Sequence, residues 1–113
     1  MPVVVVIRLR AGSSEIVASA RQLLAALQAR PGFLRGSVAQ SVEEDSDLAL
    51  VARFAELGSW RRALGAADVK LVVTPPARAA AESVGTYEVL DDAGPGPDPI
   101  SLRRSPNRPE PDR

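Results

Sequence analysis

Apolar residues recur along this chain with a period that changes from segment to segment, and each period predicts a secondary-structure element. Residues 3–10 are β-branched and aliphatic, with apolar side chains on both faces up to Val6, which predicts a central strand. From Ser14 to Arg30 the apolar residues follow helical spacing and form one stripe of an amphipathic helix. The stripe consists of Ile16, Ala20, Leu23, Leu24 and Leu27.

The helix is expected to end at Pro31-Gly32, where the chain turns into a second strand. Proline lacks an amide hydrogen and restricts the residue before it, so the helical hydrogen bonds cannot continue. Gly32 can adopt a positive φ angle without strain, which allows the chain to reverse direction. Residues 34–43 then alternate as a strand, with Leu34 and Gln40 on the same face.

The remaining pattern predicts a hairpin, further helical segments and a last strand. An acidic loop precedes a strand at 48–54, and Ser59 is the expected N-cap of a second helix. Residues 68–73 and 77–84 have a helical composition, and residues 86–90 form the final strand. The order predicts an α+β, ferredoxin-like split βαβ domain, in which a four-stranded antiparallel sheet carries both helices on one face.

Length and composition indicate one domain at 1–90 and a proline-rich tail at 91–113. A chain of 113 residues supports one hydrophobic core, and six of its ten prolines lie in the tail. Within the tail, Ile100 and Leu102 would point the same way in an extended conformation. We therefore expect Pro99 to Arg104 to lie as an arm on a partner subunit.

The sheet face that points away from the helices is expected to be apolar, and this pattern predicts a homodimer. An open face of this kind is buried most simply against a second copy. Arg8 and Arg53 would project from the central strands at the interface, paired with Glu43 or Glu88, because charges there need partners. The expected open face consists of Val4, Val6, Ala39, Ala49 and Val51, and the interface candidates are Arg8, Val51, Arg53, Ile100 and Leu102.

Composition and charge narrow the classes of function. The formal net charge is +0, which argues against a nucleic-acid or anionic-membrane partner. Cys and His are both absent, so a metal site with these ligands and a thiolate nucleophile are excluded. The apolar run at residues 3–7 is too short to span a bilayer, and a cytoplasmic location is expected.

Several segments together resemble the antibiotic biosynthesis monooxygenase family of dimeric α/β barrels. They are Val3–Arg10, Ala29–Leu34, Leu48–Phe54 with the following Glu56 and Trp60, and Gly85–Leu90. The resemblance spans residues 3–90 and implies a homodimer with a pocket between sheet and helices in each subunit. It also implies that no metal or cofactor is needed, since some members oxygenate polyketide quinol or anthrone precursors without either. Others degrade haem, and many have no assigned activity.

The resemblance also suggests positions for a substrate pocket. Members with oxygenase activity resemble one another at an Asn and a Trp on the third strand and at a Tyr near the second helix. These positions correspond to Leu50, Phe54 and Trp60 here, so only aromatic bulk is retained at the last two. The haem-degrading branch needs an axial His, which this chain lacks. The pocket candidates are Gln40, Leu50, Phe54, Trp60 and Tyr87.

Each candidate also has a structural interpretation. Leu50, Phe54 and Trp60 would serve equally well as core residues, and Gln40 and Tyr87 as buried groups with one hydrogen-bond partner. Two functions therefore remain open: a cofactor-independent monooxygenase acting on a small apolar aromatic compound, or a non-catalytic dimeric barrel that binds a small molecule or assists a biosynthetic complex. A closed cavity of several hundred Å³ would favour a ligand site.

Overall fold

An antiparallel sheet with helices on one face organises residues 1–10, 12–72 and 80–96, which the computed structural model describes. In chain order the elements are β1 (Val3–Arg10), α1 (Ser14–Gln28), β2 (Phe33–Gln40), β3 (Asp47–Phe54), α2 (Leu57–Gly65), α3 (Ala67–Val72) and β4 (Ala81–Glu88). None of the helices in these three ranges combines the length and the hydropathy that crossing a membrane requires.

The four strands are ordered β2-β3-β1-β4, and every neighbouring pair is antiparallel. This is the split βαβ topology that the sequence predicts, with the first and third strands in the centre of the sheet. The register of the two central strands places Ile7 opposite Leu50 and Val5 opposite Ala52. The predicted α+β, ferredoxin-like fold is confirmed.

The hydrophobic core lies between the sheet and the helices. Alternate residues of the two central strands point to this side, because successive side chains of a strand face opposite ways. Phe54, Leu27, Leu50 and Val5 are the largest side chains that are fully buried. The core-facing residues of the central strands are Val3, Val5, Ile7 and Leu9 of β1 and Leu48, Leu50, Ala52 and Phe54 of β3.

The turn between α1 and β2 has the geometry that Pro31-Gly32 predicts. The helix ends at Gln28, and Gly32 has a φ angle of 86°. The amide of Phe33 then donates to the carbonyl oxygen of Arg30 at 3.2 Å. The amide of Ala55 donates to the carbonyl oxygen of Gly32 at 2.8 Å, so the turn is also bonded to the end of β3.

The predicted limits and faces of β2 are partly wrong. The strand begins at Phe33 and ends at Gln40, and its register with β3 shifts between Phe33 and Arg35. This irregularity directs Phe33 toward the core and leaves Leu34 exposed, because one extra residue reverses the alternation. Val42 lies beyond the strand and is almost fully exposed.

The C-terminal half also differs from the prediction. Because α2 begins at Leu57 with Glu56 in the N-cap position, Ser59 is a buried residue inside the helix and not its cap. The strand β4 includes residues 81–84, which the sequence predicts to be helical. Pairing with β1 decides their conformation, since tertiary contacts override the weak local preference of an alanine-rich segment.

Two further expectations fall elsewhere in the chain. Residues 77–79 of the predicted alanine-rich helix lie outside the described residues. The same holds for the predicted arm from Pro99 to Arg104, which includes Ile100 and Leu102.

Candidate functional site

An open groove of about 520 Å³ lies between α2 and the edge strand β4. Its size falls within the range of about 300–1,000 Å³ that is typical of small-molecule sites. The lining residues combine an apolar surface with three groups capable of polar contacts. They are Val3, Leu57, Trp60, Arg61, Leu64, Thr86 and Glu88.

The α2 wall follows from helical periodicity. Leu57, Trp60, Arg61 and Leu64 are spaced at i, i+3, i+4 and i+7, so they share one face of the helix. Leu57 and Leu64 are exposed, whereas Trp60 is almost fully buried. The helix therefore presents two exposed leucines and a guanidinium around the edge of a buried indole.

The opposite wall is formed by β4, which the helices leave uncovered. All of its residues except Gly85 are exposed. Thr86 and Glu88 lie opposite Val5 and Val3 of β1, so they point to the helix side of the sheet. Polar residues occupy the helix-facing positions of this strand, and among the described elements none of α1, α2 and α3 packs on them.

An aromatic cluster supports the groove from behind. The rings of Phe33 and Phe54 meet edge to face, with centroids 5.6 Å apart. Phe54 in turn packs on Trp60 at 5.6 Å with an interplanar angle of 52°. Trp60 therefore packs on Phe54 in the core and also lines the groove. Edge-to-face and tilted contacts of this kind are the arrangements that aromatic rings prefer in a core.

Of the five predicted pocket residues, only Trp60 lines the groove. Phe54 lies directly behind it and is fully buried, and Leu50 is fully buried in the core. The groove lies on the outer side of Trp60, and the closed cavity walled by Leu50, Phe54 and Trp60 stays a prediction. Leu50 and Phe54 belong to one core cluster with buried side chains of α1, α2 and α3.

Gln40 and Tyr87 lie elsewhere. The side-chain amide of Gln40 donates to the carbonyl oxygen of Asp45 at 2.8 Å, which ties the end of β2 to the hairpin loop. Tyr87 is exposed on the open face of the sheet, where its ring lies over Gly85. Neither residue is brought close to Trp60, and neither is the buried polar group that the sequence suggests.

The open face of the sheet carries the predicted interface residues. Val4, Val6, Ala49 and Val51 are half-buried, while Ala39 is exposed. Arg8 and Arg53 project from this face, but the carboxylates that pair with them differ from those expected. Arg8 binds Asp47 at 3.0 Å and Arg53 binds Asp92 at 2.7 Å. Glu88 points to the helix side, and Glu43 lies beyond the end of β2, so neither is within reach.

A second ion pair on β1 joins Arg10 to Glu82 at 2.6 Å. The hydrogen bond to this carboxylate, together with its negative charge, raises the pKa of the Arg10 guanidinium above its ordinary value. Like any arginine, Arg10 is cationic throughout the neutral pH range. The pair fixes the far end of β4 against β1, at the opposite end of the strand from Glu88.

Five residues that line the groove were not predicted from the sequence: Leu57, Arg61, Leu64, Thr86 and Glu88. A signal for the helix residues was present, because their spacing is that of one helix face. Placing the N-cap at Ser59 instead of Glu56 removed Leu57 from the helix and hid this pattern. The strand residues carry a weaker signal, since the alternation of Thr86 and Glu88 with Tyr87 does not reveal which face meets the helices.

Comparison with known proteins identifies the fold. Neither a protein-family model nor a curated protein matches the sequence. SnoaB, a cofactor-independent oxygenase from Streptomyces nogalater, superposes with a TM-score of 0.71 at 19% identity, over 80% of this chain and 95% of its own. Rv0793 from Mycobacterium tuberculosis gives a TM-score of 0.72 at 17% identity, over 83% and 100%.

A candidate antibiotic biosynthesis monooxygenase from Chloroflexus aurantiacus is similar at 17% identity, with a TM-score of 0.68 over 85% of this chain and 100% of its own. At these identities the similarity establishes a shared fold. The structures agree with the resemblance that the sequence suggests, because two of the three are named as oxygenases or monooxygenases.

Proposed function

We propose that this chain is a cofactor-independent monooxygenase, or a closely related enzyme, that acts on a small, flat aromatic compound of polyketide type. The observation that carries the proposal is the groove between α2 and β4, which Trp60 walls and Phe54 supports. The fold shared with a cofactor-independent oxygenase supports the reaction class. The substrate would lie with one ring edge against Trp60 and its plane between Leu57 and Leu64.

Oxygenation without a cofactor relies on the substrate, because an electron-rich phenolate or enolate can itself reduce dioxygen. In such a reaction a ring CH₂ group becomes a carbonyl: one oxygen atom enters the product and the other leaves as water with the two hydrogens. The protein contributes an apolar surface that excludes water and groups that stabilise the anion. In the groove, Leu57, Trp60 and Leu64 would supply the surface, and Arg61 would lie closest to the negative charge.

A second candidate function is a binding protein without catalysis. It is favoured by the core positions of Leu50 and Phe54, which correspond to the polar and aromatic positions of the family's oxygenases and are fully buried here. In this case the same groove holds a small molecule while the dimer assists other enzymes of a biosynthetic pathway.

We also propose that the chain is a homodimer assembled through the open face of the sheet. The half-buried Val4, Val6 and Val51 support this proposal, because a second copy would remove them from water. The exposed ring of Tyr87 would add apolar area at the same interface. The groove lies on the other side of the sheet, so each subunit would keep its own.

Oxygen uptake distinguishes the two functions. The purified protein is incubated with a panel of polycyclic quinols and anthrones, under air and under nitrogen, and dioxygen is followed with an electrode. An enzyme consumes one dioxygen per product above the uncatalysed rate and forms no product under nitrogen. A binding protein retains the ligand in equilibrium dialysis without accelerating its oxidation. If no compound of the panel is oxidised or retained, the proposal is wrong.

A further inference from the structure

The groove carries charges of opposite sign on its two walls. Arg61 lies on the α2 wall and Glu88 lies at the end of β4. Within the described part of the chain, neither residue belongs to an ion pair, although five other arginines each bind a carboxylate. Two opposite charges that face the same groove without neutralising one another are available to a ligand.

The two charges would orient a bound molecule. A guanidinium beside an apolar wall attracts an anionic group, since the low dielectric constant of the wall weakens solvent screening. A carboxylate accepts hydrogen bonds only, so Glu88 favours a donor such as a hydroxyl group and repels an anion. Thr86 precedes Glu88 by two residues on the same side of the strand, about 7 Å away, and offers a neutral hydroxyl on the β4 wall.

We propose that Arg61 and Glu88 determine the specificity of the groove, which binds a flat aromatic compound with an anionic group at one end and a hydroxyl group at the other. The anionic end lies against Arg61 and the hydroxyl donates to Glu88, while the rings contact Trp60 and the two exposed leucines. This inference rests on the proposed function only in that the groove is the ligand site. It requires no particular reaction.

Binding of three matched probes tests the inference by isothermal titration calorimetry on the full chain. The first probe is a naphthoate with a hydroxyl at the far end of the ring system, the second is the same naphthoate without the hydroxyl, and the third is the naphthol without the carboxylate. We expect the first probe to bind about tenfold more tightly than either of the others, as one charge-assisted hydrogen bond would provide.

Two variants test whether the preference for the first probe depends on the charges of Arg61 and Glu88. Arg61→Gln should abolish the advantage of the carboxylate, so that the hydroxynaphthoate and the naphthol bind equally. Glu88→Gln should weaken the preference for the hydroxyl. The matched controls are Arg62→Gln, which lies beside Arg61 but faces Glu56, and Glu43→Gln in the hairpin. Both controls should bind all three probes as the unchanged protein does.

The outcomes separate this inference from the proposed function. If all three probes bind equally well and neither Arg61→Gln nor Glu88→Gln changes their order, the groove remains a ligand site but the inference is overturned. If no probe binds to the unchanged protein at millimolar concentration, the groove is not a binding site for aromatic compounds. Both the proposed function and the inference about Arg61 and Glu88 are then wrong. Circular dichroism of each variant confirms that a loss of binding is not a loss of folding.

Discussion

Gly32 is the residue on which the geometry of the helix-to-strand turn depends. Its φ angle of 86° lies in the left-handed region, where a side chain is strained. A Cβ atom at this position would also collide with the side chain of Ser59 in α2. The backbone of Gly32 therefore lies directly against the helix that forms one wall of the groove, and a larger residue would push the two apart.

Replacing Gly32 by alanine should lower the free energy of unfolding by more than about 1 kcal/mol, since strain and collision add. Gly65→Ala is the matched control: a Cβ there would meet no atom within 4 Å, and its φ is not in the left-handed region. The control should be neutral or slightly stabilising, because alanine is the better helix former. Urea denaturation of both variants checks this, and equal stabilities would contradict it.

Trp60 serves the core and the groove at once. It is 3% exposed and packs on Phe54, yet it also lines the groove. The sequence could indicate a buried aromatic residue near the start of a helix. It could not indicate that one edge of the ring would remain accessible, because this depends on α1, α2 and α3 leaving the helix side of β4 uncovered.

Two substitutions separate the roles of Trp60. Trp60→Ala should cost about 3–5 kcal/mol of stability, as the loss of a buried aromatic side chain does. Trp60→Phe keeps an aromatic contact with Phe54 and should fold, but it shortens the surface that meets the ligand. We expect this variant to lose ligand affinity in calorimetry by a larger factor than its change in stability explains. Unchanged affinity in folded Trp60→Phe would leave Trp60 as a core residue only.

At the scale of elements, the central strands were predictable and the edge strands were not. In β1 and β3 buried residues alternate with less buried ones, and the face that meets the helices is apolar in both strands. Burial of this face determines the register in which the two strands pair. β2 contains an irregularity between Phe33 and Arg35 that no sequence pattern marks. β4 starts within an alanine-rich segment whose local preference is helical, and only its pairing with β1 makes it a strand.

The groove was unpredictable for the same reason. It depends on the register of β4, which places Thr86 and Glu88 on the helix side and Tyr87 on the open side. A shift of one residue would exchange these faces. The family resemblance led instead to Leu50 and Phe54, which are buried in the core of this chain.

The segment that follows β4 returns to the sheet. The amide of Val89 donates to the carbonyl oxygen of Pro2 at 2.9 Å, and Asp92 binds Arg53 of β3. Because Asp92 is largely exposed, this ion pair should contribute about 0–1 kcal/mol. The segment is therefore held weakly, and a larger contribution from the tail would have to come from Ile100 and Leu102.

Two shortened chains separate these contributions. A chain that ends at Gly96 keeps Asp92, and a chain that ends at Leu90 loses it. If the predicted arm contacts the partner subunit, both chains should dimerise more weakly than the full chain, with melting temperatures close to one another. Two apolar side chains provide about 3–5 kcal/mol before the cost of ordering, so the net effect is modest. Analytical ultracentrifugation showing equal dimer dissociation constants for all three would exclude the arm.

At the scale of the whole molecule, the two faces of the sheet have different surroundings. One side forms the core and the groove, and the other presents the half-buried valines of β1 and β3. A charge placed among these valines would be buried without a partner in the proposed dimer. Val51→Glu should therefore give a monomer or an aggregate in light scattering. Val84→Glu, an exposed position on the helix side of β4, should leave the dimer intact. A normal dimer of Val51→Glu would show that this face is not the interface.

The groove between α2 and β4 is the proposed site of a cofactor-free oxygenation. The most direct measurement compares the rate of dioxygen uptake with an anthrone, whose ring CH₂ group would become a carbonyl, for Leu64→Arg and Leu34→Arg. The two leucines have similar exposure, but only Leu64 lines the groove, which the longer charged side chain would fill. We expect Leu64→Arg to lose uptake and Leu34→Arg to keep the rate of the unchanged protein. Equal rates in the two variants would contradict it.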